Sequence, residues 1–384
     1  MLKKKIISLA MLSIVSVSLL FSGCQSMSKT SADGSKTINL YAGGSDNVRT
    51  TWESVIKEFS ARNPDIKVNL QFIPAGTSSQ GAIDKLIASE KSGQKETDVD
   101  LVEVSDGDIS RLNKETGEDS LETLSQDKIP SLKDVKFKSS VGKDKALVFR
   151  GTTVVLAYNS DKVKDVPKTD VELYEWIKKN PGRFAYNDPT TGGAGASFVV
   201  SSVYNSMPKE AILSDDTKWK DQWNTGLALL KELNPYMYNA SGKVQYPAKN
   251  QGTLDLLANG QVDMIPAWAD MTLDQLDKGT LPKSVKITQI SPSLNGGVES
   301  LVIPSKSKNK EAAEKFMDFV DSVDGQKLFV ESMKAIPVID KSKLPQEDID
   351  KLAGLEVKDF RAYSIGDLGN QLYKIWQDQI ATLK

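Results

Sequence analysis

Between Thr37 and Val104 the chain alternates between a two-residue and a 3.6-residue hydrophobic period, and this alternation limits its fold more than any other feature. Thr37 to Tyr41 alternates as a strand. After a turn at Gly43, Gly44 and Ser45, the residues Val48, Trp52, Val55, Ile56 and Phe59 fall on one helix face, and Asn63 with Pro64 stops that helix. Ile66, Val68, Leu70 and Phe72 alternate as a second strand. The Pro74 to Ser79 loop then leads into a helix carrying Ile83, Leu86 and Ile87, and Val99 to Val104 forms a third strand ending at Ser105 and Asp106. Strands alternating with helices pack as parallel βαβ units, whose ligand sites lie beyond the carboxyl ends of the strands. The turns Gly43 to Asp46, Pro74 to Ser79 and Ser105 to Asp108 are therefore expected on one rim.

A long strand-like stretch, Ala146 to Asn159, carries the chain out of this first unit, and a second βα series follows. Its expected elements are a helix near Val171 to Lys179, a strand at Arg183 to Tyr186, a Gly-rich loop opening another helix, and an amphipathic helix from Asp216 to Leu233. A helix at Gly252 to Ala258 and strands at Val262 to Trp268 and Val285 to Ile290 complete it. Gly296 to Pro304 reads as a crossing back, after which Asn309 is expected to cap a long helix with Ala312, Ala313, Phe316, Phe319, Val320 and Val323 on its apolar side. The pattern is α/β with two lobes, each a mainly parallel sheet flanked by helices, joined by strand crossings. The first lobe is expected from 36 to 150 plus 296 to 340, the second from 151 to 295, and a helical segment from 341 to 384.

Cys24 is the only cysteine, and it follows a stretch built like an export signal. Lys3, Lys4 and Lys5 form a positive start, Ile6 to Phe21 is apolar, and Ser22 and Gly23 are small. The apolar run is shorter than the roughly 20 residues that span hydrocarbon. Gln25 to Ser35 is rich in Ser, Lys and Gly and reads as a flexible tether. Removing Met1 to Gly23 takes away three lysines and no acid, leaving 46 basic against 51 acidic residues and a formal charge of -5. That mild acidity argues against a nucleic-acid partner. With no histidine, a Ser/His/Asp triad, a Cys/His nucleophile and a His-ligated metal site are all excluded. Carboxylate pairs remain, so a two-carboxylate glycoside hydrolase stays open as an alternative.

Several residues stand where a ligand would meet these rims. Gly44 and Ser45 offer backbone amides from the first strand, Thr77 and Ser78 from the second, and Thr191, Gly192 and Gly193 open a helix whose free amides suit an anion or polar group. The run Asp188 to Phe198 is no nucleotide fingerprint, because Phe198 stands where the third glycine would be. Trp268 and Asp270 end a strand, so an aromatic face and a carboxylate would meet the cleft together, a pairing that suits a cation or a sugar. Asp270 could equally cap the helix beginning near Met271. Tyr158 lies at the crossing, and Glu103, Asp106 and Asp108 form an acidic rim.

Four segments resemble the extracellular solute-binding proteins of ABC importers. They are Phe21, Ser22, Gly23 and Cys24, which resemble a bacterial lipobox with Phe in place of the preferred Leu; Leu156 to Asn159 with Asp161; Gly297 to Pro304; and Asn309 to Phe329 with Asp324 and Gly325. Gly182, Arg183 and Phe184, followed by Asp188, Pro189 and the Gly192 to Ser197 loop, resemble a thiamine-linked branch of that family. The resemblance implies a periplasmic-binding-protein-like fold of the second type, closing on a ligand between its lobes like a hinge. It also implies a monomeric, non-enzymatic receptor without a cofactor or metal, working with a membrane permease and its ATPase. Cys24 would carry lipid and hold the protein on the extracellular face of the cell membrane. A cationic or zwitterionic organic ligand such as thiamine or a polyamine is expected from the rim chemistry. An adhesin on the same fold is a further alternative.

Overall fold

The computed structural model describes residues 36–74, 80–352, 355, 357 and 360–383. Cys24, the signal-like stretch, the tether and the loop residues Thr77 and Ser78 lie outside the described residues.

The first lobe begins with β1 (Lys36–Gly44), α1 (Asp46–Arg62), β2 (Ile66–Pro74), α2 (Gln80–Lys91), β3 (Leu101–Ser105) and α3 (Asp106–Thr116). β1 pairs in parallel with β2 from Lys36↔Ile66 to Gly44↔Pro74, and with β3 at Leu40↔Leu101. The helix face anticipated on α1 is the one buried: Trp52, Val55 and Phe59 have no exposed surface. Trp52 meets Phe149 and Phe329 at ring-centroid distances of 5.1 and 5.2 Å, and Phe59 meets Phe316 edge-on at 5.0 Å. Each such ring buries on the order of 150–250 Å², so this cluster holds α1 to the sheet.

β4 (Leu147–Asn159) joins the lobes. Leu147 and Phe149 belong to the first core, whereas Val154 and Leu156 belong to the second. The second lobe contains α4 (Asp170–Lys179), α5 (Gly193–Tyr204), α6 (Asn224–Leu233), the short hairpin β5 (Asn239–Ala240) and β6 (Lys243–Val244), α7 (Lys249–Ala258), β7 (Met264–Trp268), α8 (Ala269–Asp277) and β8 (Val285–Thr288). β9 (Gly296–Val302) returns to the first lobe between β3 and β4. There α9 (Lys310–Val320), α10 (Val323–Met333) and α11 (Gln346–Asp350) follow, and α12 (Leu368–Gln379) closes the described chain.

The sheet is mixed rather than mainly parallel. β9 runs antiparallel to both β3 and β4, and β4 runs antiparallel to β7 and β8. The reason is topological: β9 runs against the βα strands of the first lobe and β4 against β7 and β8 of the second, so each lobe receives one crossing strand in the opposite sense. The strand expected at Arg183 to Tyr186 is reduced to isolated parallel bridges from Phe184 to Met237 and Met264.

Three helical expectations also change. The helix expected from Asp216 begins as a 3-10 turn at Thr217–Gln222, and α6 starts only at Asn224. The long helix after Asn309 breaks at Asp321 and Ser322, and the Ser322 hydroxyl accepts from Gly325 N at 3.1 Å to start α10. Asn309 does occupy the cap position of α9, yet its side chain makes no capping bond. Its Nδ2 donates instead to buried Asp100 at 3.1 Å. Leu344 and Leu352 pack on the first lobe, while Leu368, Leu372 and Trp376 of α12 enter the second core.

Candidate functional site

Between the lobes lies a cavity of about 510 Å³, within the usual range for small-molecule sites. Its first-lobe wall is the carboxyl-end rim of β1 and β3. At Gly44, where φ is +145°, a Cβ would come within 3.0 Å of Val48, so the turn into α1 needs glycine. Ser105 and Asp108 also line the cavity, but they form a reciprocal capping box on α3: Asp108 N donates to Ser105 Oγ at 3.2 Å and Ser105 N to Asp108 Oδ2 at 3.0 Å. Asp106 lies off the cavity lining and accepts hydrogen bonds from the Ser139 and Ser140 hydroxyls.

The floor comes from the two crossing strands. In the antiparallel register Arg150 of β4 faces Glu299 of β9, which in turn pairs with Ser105 of β3. A bulge between Val148 and Arg150 breaks the ladder there, a device that re-aims side chains. Arg150 is 6% exposed; its Nη2 donates to Glu103 Oε1 at 2.8 Å, and Trp52 Nε1 donates to Glu103 Oε2 at 3.0 Å. Arg150 Nε has no partner. Burial pushes the Glu299 carboxyl up to about 8, with Arg150 opposing and the charges of Glu103, Asp108 and Asp106 adding. At neutral pH Glu299 is therefore held mainly protonated.

The second-lobe wall carries Trp268 and Asp270 at the junction of β7 and α8. Asp270 is 7% exposed. Its Oδ2 accepts a long 3.4 Å bond from Asn47 Nδ2 across the cleft, while Oδ1 has no hydrogen-bond partner. Burial raises its pKa, opposed chiefly by Arg150 and then by the Met271 amide and Asn47. Thr191, Gly192 and Gly193 line the same wall, but the α5 amides expected to be free are partly spent inside the lobe. Ala194 N donates to Asn250 Oδ1 at 2.8 Å, and Gly195 N to Asn187 Oδ1 at 2.7 Å. A Cβ at Gly195 would lie 1.8 Å from the Asn187 carbonyl, so glycine is required for that approach.

The structure thus brings Gly44, Ser45, Thr191, Gly192, Gly193, Trp268 and Asp270 to one cavity. Tyr158 is elsewhere, opposite Met264 and Lys286 and packed against the second core. Arg150 and Glu299 escaped the sequence reading, although an ionisable residue inside each apolar crossing strand was a visible signal. Arg183, in the thiamine-like motif, is structural: it grips Asp263 at 2.5 and 2.7 Å and the carbonyls of Gly260 and Gln261. Among the described residues no group of three His, Cys, Asp or Glu side chains is placed to hold a metal ion. Nor is any described helix long and apolar enough to cross a membrane.

A family model described as bacterial extracellular solute-binding protein matches residues 54–356. The chain belongs to that family. A maltooligosaccharide ABC transporter solute-binding lipoprotein of Streptococcus pneumoniae serotype 4 is 25% identical to this solute-binding protein over 240 residues, covering 54% of this chain and 52% of that one. The chain therefore spans about half the length of the curated relatives it matches. Among solved structures, a Bordetella parapertussis protein described as an extracellular solute-binding protein superposes with a TM-score of 0.67 at 18% identity, covering 90% of this chain and 99% of that one. A Listeria monocytogenes protein assigned to spermidine/putrescine ABC transport gives 0.63 at 19% identity, covering 89% and 99%. Both likenesses establish the two-lobed fold and leave the ligand to the site. Family members serve transport as binding proteins, not as enzymes, which at that level displaces the hydrolase alternative.

Proposed function

We propose that this protein is the receptor of an ABC importer, tethered by lipid at Cys24 to the extracellular face of the membrane, and that it captures a cationic or zwitterionic organic solute. Thiamine and polyamines exemplify the class. One observation carries the reading: Asp270 presents a buried oxygen without a donor in a cavity that Trp268 also lines and that holds more acid than base. The lining acids are Glu103, Asp108, Asp270 and Glu299, against Arg150 and Lys249. The excess is two with all ionised and one with Glu299 protonated.

A buried carboxylate oxygen left without a partner costs on the order of 1–3 kcal/mol, more when charged, and a ligand N–H removes that cost. The indole face adds about 0.5–2 kcal/mol for a cation held over it. Arg150 Nε, also buried and unpartnered, would serve the acceptor of a zwitterion. The relatives' transport roles support the importer assignment, with the permease and its ATPase as partners.

Calorimetric titration of the purified mature protein with thiamine, spermidine, maltotriose and sulfate tests the ligand class. Tight binding to an organic cation is expected; tight binding to maltotriose or sulfate alone would refute it. For the anchor, Cys24→Ala should move the protein from the membrane fraction to the medium or periplasm with ligand affinity unchanged.

A further inference from the structure

The cleft does not end at the charged cavity. It continues into a second space of about 710 Å³, which shares Gly44, Ser45, Lys249, Asn250 and Met271 with the first. Its chemistry differs. The acids lining it, Asp46, Asp255 and Asp274, are matched in number by Arg49, Lys249 and Lys278. Several of these charges are already engaged: Asp46 holds Arg49 at 2.6 Å, Asp274 holds Lys278 at 2.8 Å, and Asp255 accepts from Gln251 Nε2 at 2.8 Å. Phe72, Ala258 and Met271 supply apolar surface from β2, α7 and α8, so both lobes contribute to it. Lys249 stands at the junction of the two spaces in a left-handed backbone conformation, φ +60°, that a non-glycine residue adopts only under constraint. Its amide is held there by Thr191 Oγ1 at 3.0 Å.

We infer that the solute is elongated and charged at one end only. A cationic head sits between Trp268 and Asp270, and an uncharged, largely apolar body extends past Lys249 into the second space against Phe72, Ala258 and Met271. This rests on the cationic-solute reading and narrows it. A second positive charge on the same molecule would enter a region with no excess of acid, where Asp46 and Asp274 already hold bases, Asp255 accepts from Gln251 and Lys249 adds a like charge, so its desolvation would be poorly compensated. An alkyl body there gains about fourfold in affinity for each fully buried methylene.

The test is calorimetric titration of the purified protein with ethylamine, n-hexylamine and 1,5-diaminopentane, the last two of equal length. n-Hexylamine should bind at least tenfold tighter than ethylamine and at least tenfold tighter than the diamine. Ala258→Phe, which fills the second space, should erase the hexyl advantage while leaving ethylamine unchanged. Phe72→Ser, on an edge strand, should reduce that advantage without touching α7. The inference is overturned by equal binding of ethylamine and n-hexylamine, by a diamine as tight as the monoamine, or by a hexyl advantage that survives both variants. If none of the three amines binds, the cationic-solute reading itself falls and takes this inference with it.

Discussion

On the first-lobe side of the cleft Glu103 is 5% exposed, with both oxygens engaged by Arg150 and Trp52; on the second-lobe side Asp270 is 7% exposed, with one oxygen weakly held and the other free. Equal burial thus hides opposite roles. Trp52 ties Glu103 to the aromatic cluster that holds α1, so this acid and its arginine belong to the scaffold although both line the cavity. Asp270 is tied to no comparable network. A paired buried charge is stabilised where it is, whereas an unpaired one is stabilised by whatever binds.

The largest effect expected from this contrast is on stability. Arg150→Met should destabilise the protein by about 3–5 kcal/mol in urea denaturation, because Glu103 would be left buried without its counter-charge. A loss under about 1 kcal/mol would mean that Glu103 does not depend on Arg150, and the contrast would break. Asp270→Asn should behave in the reverse way. Affinity for the best-binding organic cation should fall at least tenfold, while the midpoint of unfolding at pH 7 stays level or rises, since an acid whose pKa is raised by burial is destabilising when ionised. A large loss of stability would place Asp270 in the scaffold with Glu103.

Trp268→Leu should weaken the same cation by roughly 2- to 30-fold, the range of an aromatic face on a cation, with little effect on a neutral solute. The smallest expected effect on affinity comes with a test of the comparison through pH. Glu299, with its carboxyl at about 8, is protonated in the fold across a range where it is ionised in the unfolded chain. The folded state therefore binds more protons, and this group lowers stability as pH rises from about 5 to about 8, with no further change above. Glu299→Gln should remove that decline in denaturation measured across the range. The unaltered protein should gain a few-fold in cation affinity between pH 7 and 9, as Glu299 ionises, and the variant should not. A pH dependence unchanged in the variant would show that another group titrates.

Much of the fold was legible because it is encoded locally. The buried face of α1 and the alternation of β2 follow from side-chain period, and the crossing nature of β4 from its length as a strand-like run buried almost throughout. The breaks were not legible, since they depend on partners distant in the chain: Asn309 gives its side chain to Asp100, 209 residues earlier, and Ser322 can cap α10 only where α9 has ended. The site divides in the same way. Gly44, Thr191, Trp268 and Asp270 sit at ends of elements and could be placed on a rim. Tyr158 shares strand parity with Arg150 and Thr152, but eight residues along β4 is about 26 Å, far enough to carry it past the cleft. Arg150 and Glu299 are neighbours only through a strand pair formed by segments far apart in the chain.

By itself the sequence determined which segments could be strands and helices, that the chain divides between two lobes, and which chemistries a protein without histidine lacks. These rest on short-range periodicity and on composition, which need no knowledge of neighbours. Only the tertiary structure decided which acids are paired. Burial and hydrogen-bond partners are properties of the assembled cleft, and there the donors of Arg150 and Trp52 separate Glu103, held by the scaffold, from Asp270, which feels Arg150 through its charge and keeps one oxygen without a donor for a solute.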